Sequence, residues 1–151
     1  MALDFRPASD RDAEDIRALV CRAYRLYVAR MDREPAPMRA DYGALIAKGH
    51  VEIAERDSRM QGILVCYPEG DHLHVENIAV APDQQGRGIG RALMARAESR
   101  AREYGLEAIE LYTNGIMQEN LPFYAGLGYE ITGRAVEDGY DRIFFRKALK
   151  P

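Results

Sequence analysis

The sequence predicts an α/β domain of the α+β type, with a mixed, mostly antiparallel twisted sheet flanked by helices. Three observations lead there. Strand-like and helical patterns alternate along the chain, and several strand connections are short, polar and rich in turn residues. A chain of 151 residues with 47% hydrophobic and 30% charged content also holds enough apolar surface for one core and leaves no room for a second ordinary domain. Residues 1–151 are therefore expected to form a single domain.

Residues 3–6 read as a short strand. Ser9 or Asp10 then caps a helix whose Ile16, Leu19, Val20, Ala23 and Tyr27 recur at helical spacing. That helix must end before Pro35. The segment 31–38 carries Pro35 and Pro37, reads as the least regular part of the chain, and separates the first helix from a short one at about 40–48. Strands at 50–55 and 62–67 follow, joined by a polar connection over 56–61. Pro68, Glu69, Gly70 and Asp71 then make a turn into a long strand, 72–80. Ile89, Leu93, Ala97 and Ala101 mark one face of the next helix, which Gly105 ends. The chain closes with a strand at 108–112, a short helix at 121–127 stopped by Gly128, and strands at 129–132 and 142–146 around Asp138-Gly139. There is no internal repeat, low-complexity tract or linker.

Composition narrows the function. Net charge is −3 and the pI near 5.7, which argues against nucleic acid or an anionic membrane as the main partner. The first residues are charged rather than apolar, and no run reaches the length of a membrane span, so a cytoplasmic protein is expected. Cys21 and Cys66 lack metal-binding spacing and read as small core residues; no metal is expected.

The most informative stretch is 77–101, an apolar strand running through a glycine-rich turn into an amphipathic helix. Gly86, Gly88 and Gly90 alternate where the helix begins, although glycine in a helix costs about 1 kcal/mol relative to alanine. A ligand whose phosphates approach the main chain explains them. The first N–H groups of a helix lack internal partners and sit at its positive end, and Arg87 and Arg91 add full charges there. Neither the dinucleotide spacing G-x-G-x-x-G nor the P-loop ending G-K-[ST] fits.

The run Gln85-Gly86-Arg87-Gly88-Ile89-Gly90 resembles the [QR]-x-x-G-x-[GA] signature of the GNAT acetyltransferases, and the resemblance extends over nearly the whole chain. It implies that Gln85 to Arg91 cradle the pyrophosphate of acetyl-coenzyme A. A second element, Asn120, Tyr124, Gly128 and Tyr129, resembles the N-x-x-x-Y-x-x-x-G-[FY] portion found late in that family. The resemblance implies that Asn120 hydrogen-bonds the coenzyme arm and that Tyr124 protonates the departing thiolate. One departure stands out: many members place the asparagine seven residues before the tyrosine, where this chain has Met117.

Along the strand 72–80, His72, His74 and Glu76 share one face and Leu73 and Val75 the other. At Asn77 the alternation is expected to break ahead of Ile78, Ala79 and Val80, as at a β-bulge. The family resemblance implies such a bulge, a splay from the next strand, and backbone groups of Ile78 and Val80 available to the pantetheine arm. Acetyl transfer to an amine needs a base, because the amine is mostly protonated at neutral pH. Glu76 is the first candidate and His74 the second. Arg30, Arg33 and Glu34 belong to the loop expected to meet the acceptor. The expected function is acetyl-coenzyme A-dependent N-acetyl transfer to a primary amine of a small molecule or peptide, directly and without an acyl-enzyme. The rival is a non-catalytic acetyl-coenzyme A-binding regulatory module; homodimer formation stays open.

Overall fold

A computed structural model describes residues 3–31 and 33–150; Asp32, within the segment read as irregular, lies outside them. The strands form a seven-stranded mixed sheet in the order β1-β2-β3-β4-β5-β7-β6. Two compact units divide the chain, residues 1–66 with 77–95 and residues 67–76 with 96–151. The chain therefore passes from one unit to the other inside β3 (Arg59–Glu69), β4 (His72–Val80) and α4 (Ile89–Glu103).

The first unit begins with β1 (Asp4–Pro7), antiparallel to β2 (Val51–Arg56), which pairs antiparallel with β3. The β2–β3 connection is two residues long rather than the six expected. Asp57 and Ser58 both adopt positive φ, 53° and 62°, which matches the right-handed twist of a tight hairpin and lets both strands run on. Helix α1 (Ala13–Val28) buries Ile16, Leu19, Val20 and Ala23 against Ile53, Ile63 and Val65. A single 3₁₀ turn, Asp10–Asp12, leads into it, and the Ser9 N–H donates to Asp12 at 2.8 Å. Arg6 ties this corner together, bonding Asp12 at 2.8 Å and Glu55 at 2.9 Å. This pairing holds the Asp12 carboxyl well below the usual range.

Pro35 and Pro37 admit one regular turn at the end of their segment. A short helix, α2 (Ala36–Arg39), starts there with Pro35 as its N-cap. Proline is compatible with a first turn, whose N–H groups have no acceptor in the helix. Ala40 is extended, so α3 (Tyr42–Ala47) starts later than expected, capped by Asp41 accepting from the Ala44 N–H at 3.1 Å.

In the second unit β4 runs parallel to β5 (Ala108–Asn114), with His72 beside Ala108 and Val75 beside Leu111. Strand β7 (Tyr140–Ala148) pairs antiparallel with β5 and with β6 (Glu130–Glu137). Strands β6 and β7 extend beyond the short segments expected; β6 is exposed along its whole length and so carries no apolar alternation to announce it. One face of this unit buries Leu73, Val75, Leu111 and Phe145 together with Ala97 and Ala101 of α4 and Tyr124 of α5 (Asn120–Gly126). Among the described residues no helix is long and apolar enough to cross a membrane.

Candidate functional site

The glycine turn lies wholly within the first unit. After β4, a 3₁₀ turn at Pro82–Gln84 brings the chain to Gln85, and α4 opens at the fully buried Ile89. Gly86 and Gly88 both have φ of 81°, a conformation in which any Cβ is strained. A Cβ on either would meet nothing within 4 Å, so the backbone angle demands glycine here and the space above the turn is open for a ligand. The first helical bond runs from the Ala92 N–H to the Gly88 carbonyl at 3.0 Å, so the N–H groups before it have no acceptor in the helix. Arg87 and Arg91 are exposed beside them, and Gly90 sits in the helix's first turn. Gly62 lets this helix approach the sheet: a Cβ there would lie 2.7 Å from the Ala79 carbonyl and 3.2 Å from Leu93.

The alternation along β4 does not break at Asn77. Leu73, Val75, Asn77 and Ala79 are all buried and the intervening residues half-buried. Asn77 takes an inward position because its amide is satisfied there. Tyr24 of α1 places its hydroxyl 2.6 Å from Asn77 Oδ1 and 3.1 Å from the Ile78 carbonyl, sharing one proton between them. Asn77 Nδ2 donates to the Tyr42 hydroxyl at 3.2 Å, which donates to the Pro37 carbonyl at 2.6 Å. The Ile78 carbonyl thus accepts from Tyr24, and Gln85 Nε2 stands 3.5 Å from the Val80 carbonyl.

The second unit carries the titratable candidates. His74 and Glu76 project to the half-buried face of β4, and the ring of Tyr67 lies 5.3 Å from that of His74. Burial pushes the His74 pKa below its ordinary value, against the opposing pull of Glu69, Glu76 and Glu110. Burial, then Glu76 and Glu69, raises the Tyr67 phenol to about 12, so it keeps its proton and bonds Glu76. Glu76 and Tyr112 are the next residues after the pair Val75–Leu111 and belong to the same face. Tyr112 in turn contacts His74 at 5.8 Å and Phe144 at 5.9 Å. Sequence reasoning missed Tyr67, Tyr112 and Phe144; alternation on the neighbouring strands marks them only once their register is known.

At the start of this face, metal-capable atoms of Asp71, His72 and Glu110 lie within 4.8 Å of one another. Arg146 pairs with Glu110 and stands 3.3 Å from Asp71. It supplies there the positive charge that such a cluster otherwise takes from an ion.

Asn120 and Tyr124 lie on the opposite face of these strands from Glu76. Asn120 Nδ2 donates to Thr113 Oγ1 at 2.8 Å, and Met117 is buried. The Tyr124 ring packs 5.5 Å from Phe145 and 5.9 Å from Tyr129. Arg30, Arg33 and Glu34 belong to the first unit, where Arg30 stands over Tyr27 at 5.2 Å.

The sequence profile of the acetyltransferase (GNAT) family matches residues 13–129, which include the glycine turn, β4 and Tyr124. This chain belongs to that family. Among its GNAT relatives, the aminoalkylphosphonate N-acetyltransferase of Salmonella typhimurium is 27% identical over 136 residues, 84% of each chain. The mycothiol acetyltransferase of Propionibacterium freudenreichii is 30% identical over 98 residues; these are 65% of this chain and 28% of that longer protein. The GNAT fold is shared with the PaiA N-acetyltransferase of Thermoplasma acidophilum in complex with coenzyme A, at a TM-score of 0.82 and 18% identity over 99% of this chain and all of that one. It is also shared with a GNAT acetyltransferase of Desulfovibrio desulfuricans, at a TM-score of 0.76 and 25% identity over 97% and 99% of the two chains.

Proposed function

We propose that this GNAT acetyltransferase moves the acetyl group of acetyl-coenzyme A directly to the primary amine of a small molecule or peptide. The observation that carries the proposal is the turn at Gly86 and Gly88, with positive φ at both glycines and open space above them, leading into a helix whose first N–H groups have no internal acceptor. Gln85 to Arg91 would hold the pyrophosphate, and the backbone of Ile78, Ala79 and Val80 the pantetheine arm. Glu76 takes the proton from the acceptor ammonium, with His74 as the alternative base. The freed amine attacks the thioester carbon; as the C–S bond breaks Tyr124 gives its hydroxyl proton to the departing thiolate, and the second proton that the nitrogen sheds passes to solvent, from which Tyr124 is reprotonated. Asn120 contacts the coenzyme arm. A lowered pKa keeps His74 neutral and able to accept a proton at neutral pH.

The aminoalkylphosphonate relative supports an acceptor that joins an amine to an acid group, with Arg30, Arg33 and Glu34 as the acceptor-binding residues of the first unit. The test is a thermal-shift panel of acetyl-coenzyme A, coenzyme A, ATP and NAD, followed by a free-thiol assay across amine classes. Stabilisation by both coenzymes with thiol release is expected. Stabilisation without release from any amine favours a regulatory binding module, and no stabilisation overturns the proposal.

A further inference from the structure

The half-buried face of the second unit carries two arginines with different circumstances. Arg146 spends its charge on Glu110 and Asp71. Arg142, four residues away on β7, lies over the ring of Tyr112 at 4.3 Å and near that of Tyr140 at 5.7 Å, and its side chain is only 14% exposed. Its one hydrogen bond runs from Nη1 to Glu137 Oε1 at 3.0 Å, and that carboxylate is half-exposed on the hairpin strand β6. Nε and Nη2 have no protein acceptor among the described residues, yet they are not sealed from solvent. A guanidinium held on an aromatic ring with donors to spare is built for a planar or tetrahedral oxyanion.

Its position relates it to the chemistry. Arg142 pairs with Asn114 and Phe144 with Tyr112, while Glu76 and Tyr112 each follow the last pair of β4 with β5, Val75–Leu111. The guanidinium leans back over Tyr112, whose strand lies between β7 and β4, and so toward the side that carries Glu76. The Tyr112 phenol reports both neighbours: burial raises its pKa, Arg142 lowers it, and Glu76 raises it again. A carboxylate and a guanidinium that flank one ring suit an acceptor with an amine at one end and an oxyanion at the other.

We propose that Arg142, positioned by Tyr112, binds a carboxylate or phosphonate group carried by the acceptor amine and so sets the enzyme's preference for anionic amines. The inference rests on Glu76 meeting the acceptor's amino end, and it assigns the acid group to Arg142 rather than to Arg30 or Arg33. The incoming oxyanion displaces the exposed Glu137 carboxylate and takes the remaining donors; no covalent step is involved.

The test measures kcat/KM at saturating acetyl-coenzyme A for matched pairs, β-alanine against β-alaninamide and 2-aminoethylphosphonate against ethylamine. The unsubstituted protein should prefer the anionic member. R142Q should lower the anionic-to-neutral ratio roughly 10- to 100-fold, the worth of a charged hydrogen-bonded pair, mainly through KM, and R142K should restore part of it. R33Q should leave the ratio unchanged. No preference in the unsubstituted protein, an equal loss for both members in a folded R142Q, or a ratio that collapses in R33Q instead overturns the inference. Failure of the underlying reading looks different: E76Q would retain turnover on both members while the ratio still responded to Arg142.

Discussion

The glycine turn of the first unit offers a ligand its backbone: two residues at φ of 81° and the open N–H groups of a helix end. The face of β4, β5 and β7 in the second unit offers side chains: Glu76, His74, Tyr67, Tyr112 and Arg142. A backbone cradle is indifferent to most neighbouring side chains and intolerant of a Cβ. A side-chain face can be retuned one residue at a time, which is how a family keeps one donor and changes acceptors. The substitutions that separate the two regions are therefore of different kinds.

The largest effect on coenzyme binding is expected at the turn. Gly88→Val forces a β-branched residue out of the left-handed region and swings the adjoining N–H groups off their common aim. Acetyl-coenzyme A affinity, read by calorimetry, should fall at least about 100-fold, the equivalent of two charge-assisted hydrogen bonds. The fold should persist, since Gly88 is exposed and a Cβ there meets no neighbour. Unchanged affinity in the folded variant would remove the turn from the donor site.

On the side-chain face, Glu76→Gln should lower kcat/KM by about 10²- to 10⁴-fold while leaving coenzyme affinity nearly intact. The pH profile identifies the base. A carboxylate base is active above its pKa and loses activity as pH falls through the carboxylate range. His74 is lowered from 6.5 by burial, so a histidine base stays active down to a point below 6.5. If His74→Gln erases the acidic limb and Glu76→Gln does not, the base is the histidine.

A smaller effect, about 10- to 100-fold in kcat, is expected for Tyr124→Phe. Tyr124 packs among Tyr129, Phe123 and Phe145, and phenylalanine keeps that packing, so a change in turnover without a change in melting temperature reports the hydroxyl alone. Undiminished turnover would make Tyr124 a core aromatic.

How far each region is legible in sequence follows the same division. Ile89, Leu93, Ala97 and Ala101 are all buried at their expected spacing, and β4 has its expected bounds, because local periodicity carries that information. The glycine turn is legible because three glycines are costly without a reason. Asn77 was read as a break because its hydrogen-bond partners lie 53 and 35 residues away in sequence. Arg142 and Tyr112 emerge as site candidates, and Tyr124 is placed on the face opposite Glu76, only through the register of β5 with β7. Helix α2 was hidden by prolines that suit a first turn.

The smallest expected effect lies where β4 crosses from one unit to the other. Tyr24 bonds Asn77 and the Ile78 carbonyl, so it fixes the strand immediately after Glu76. Tyr24→Phe keeps the ring and leaves the buried Asn77 Oδ1 without that donor, a loss of about 1–2 kcal/mol, or a few degrees in Tm for a chain of this size. If the bond also orients the donor-binding strand, the KM for acetyl-coenzyme A should shift by a few-fold, far less than at Gly88. A lower Tm with an unaltered KM would confine Tyr24 to packing, and the backbone that receives the coenzyme would then owe its position to the sheet rather than to α1.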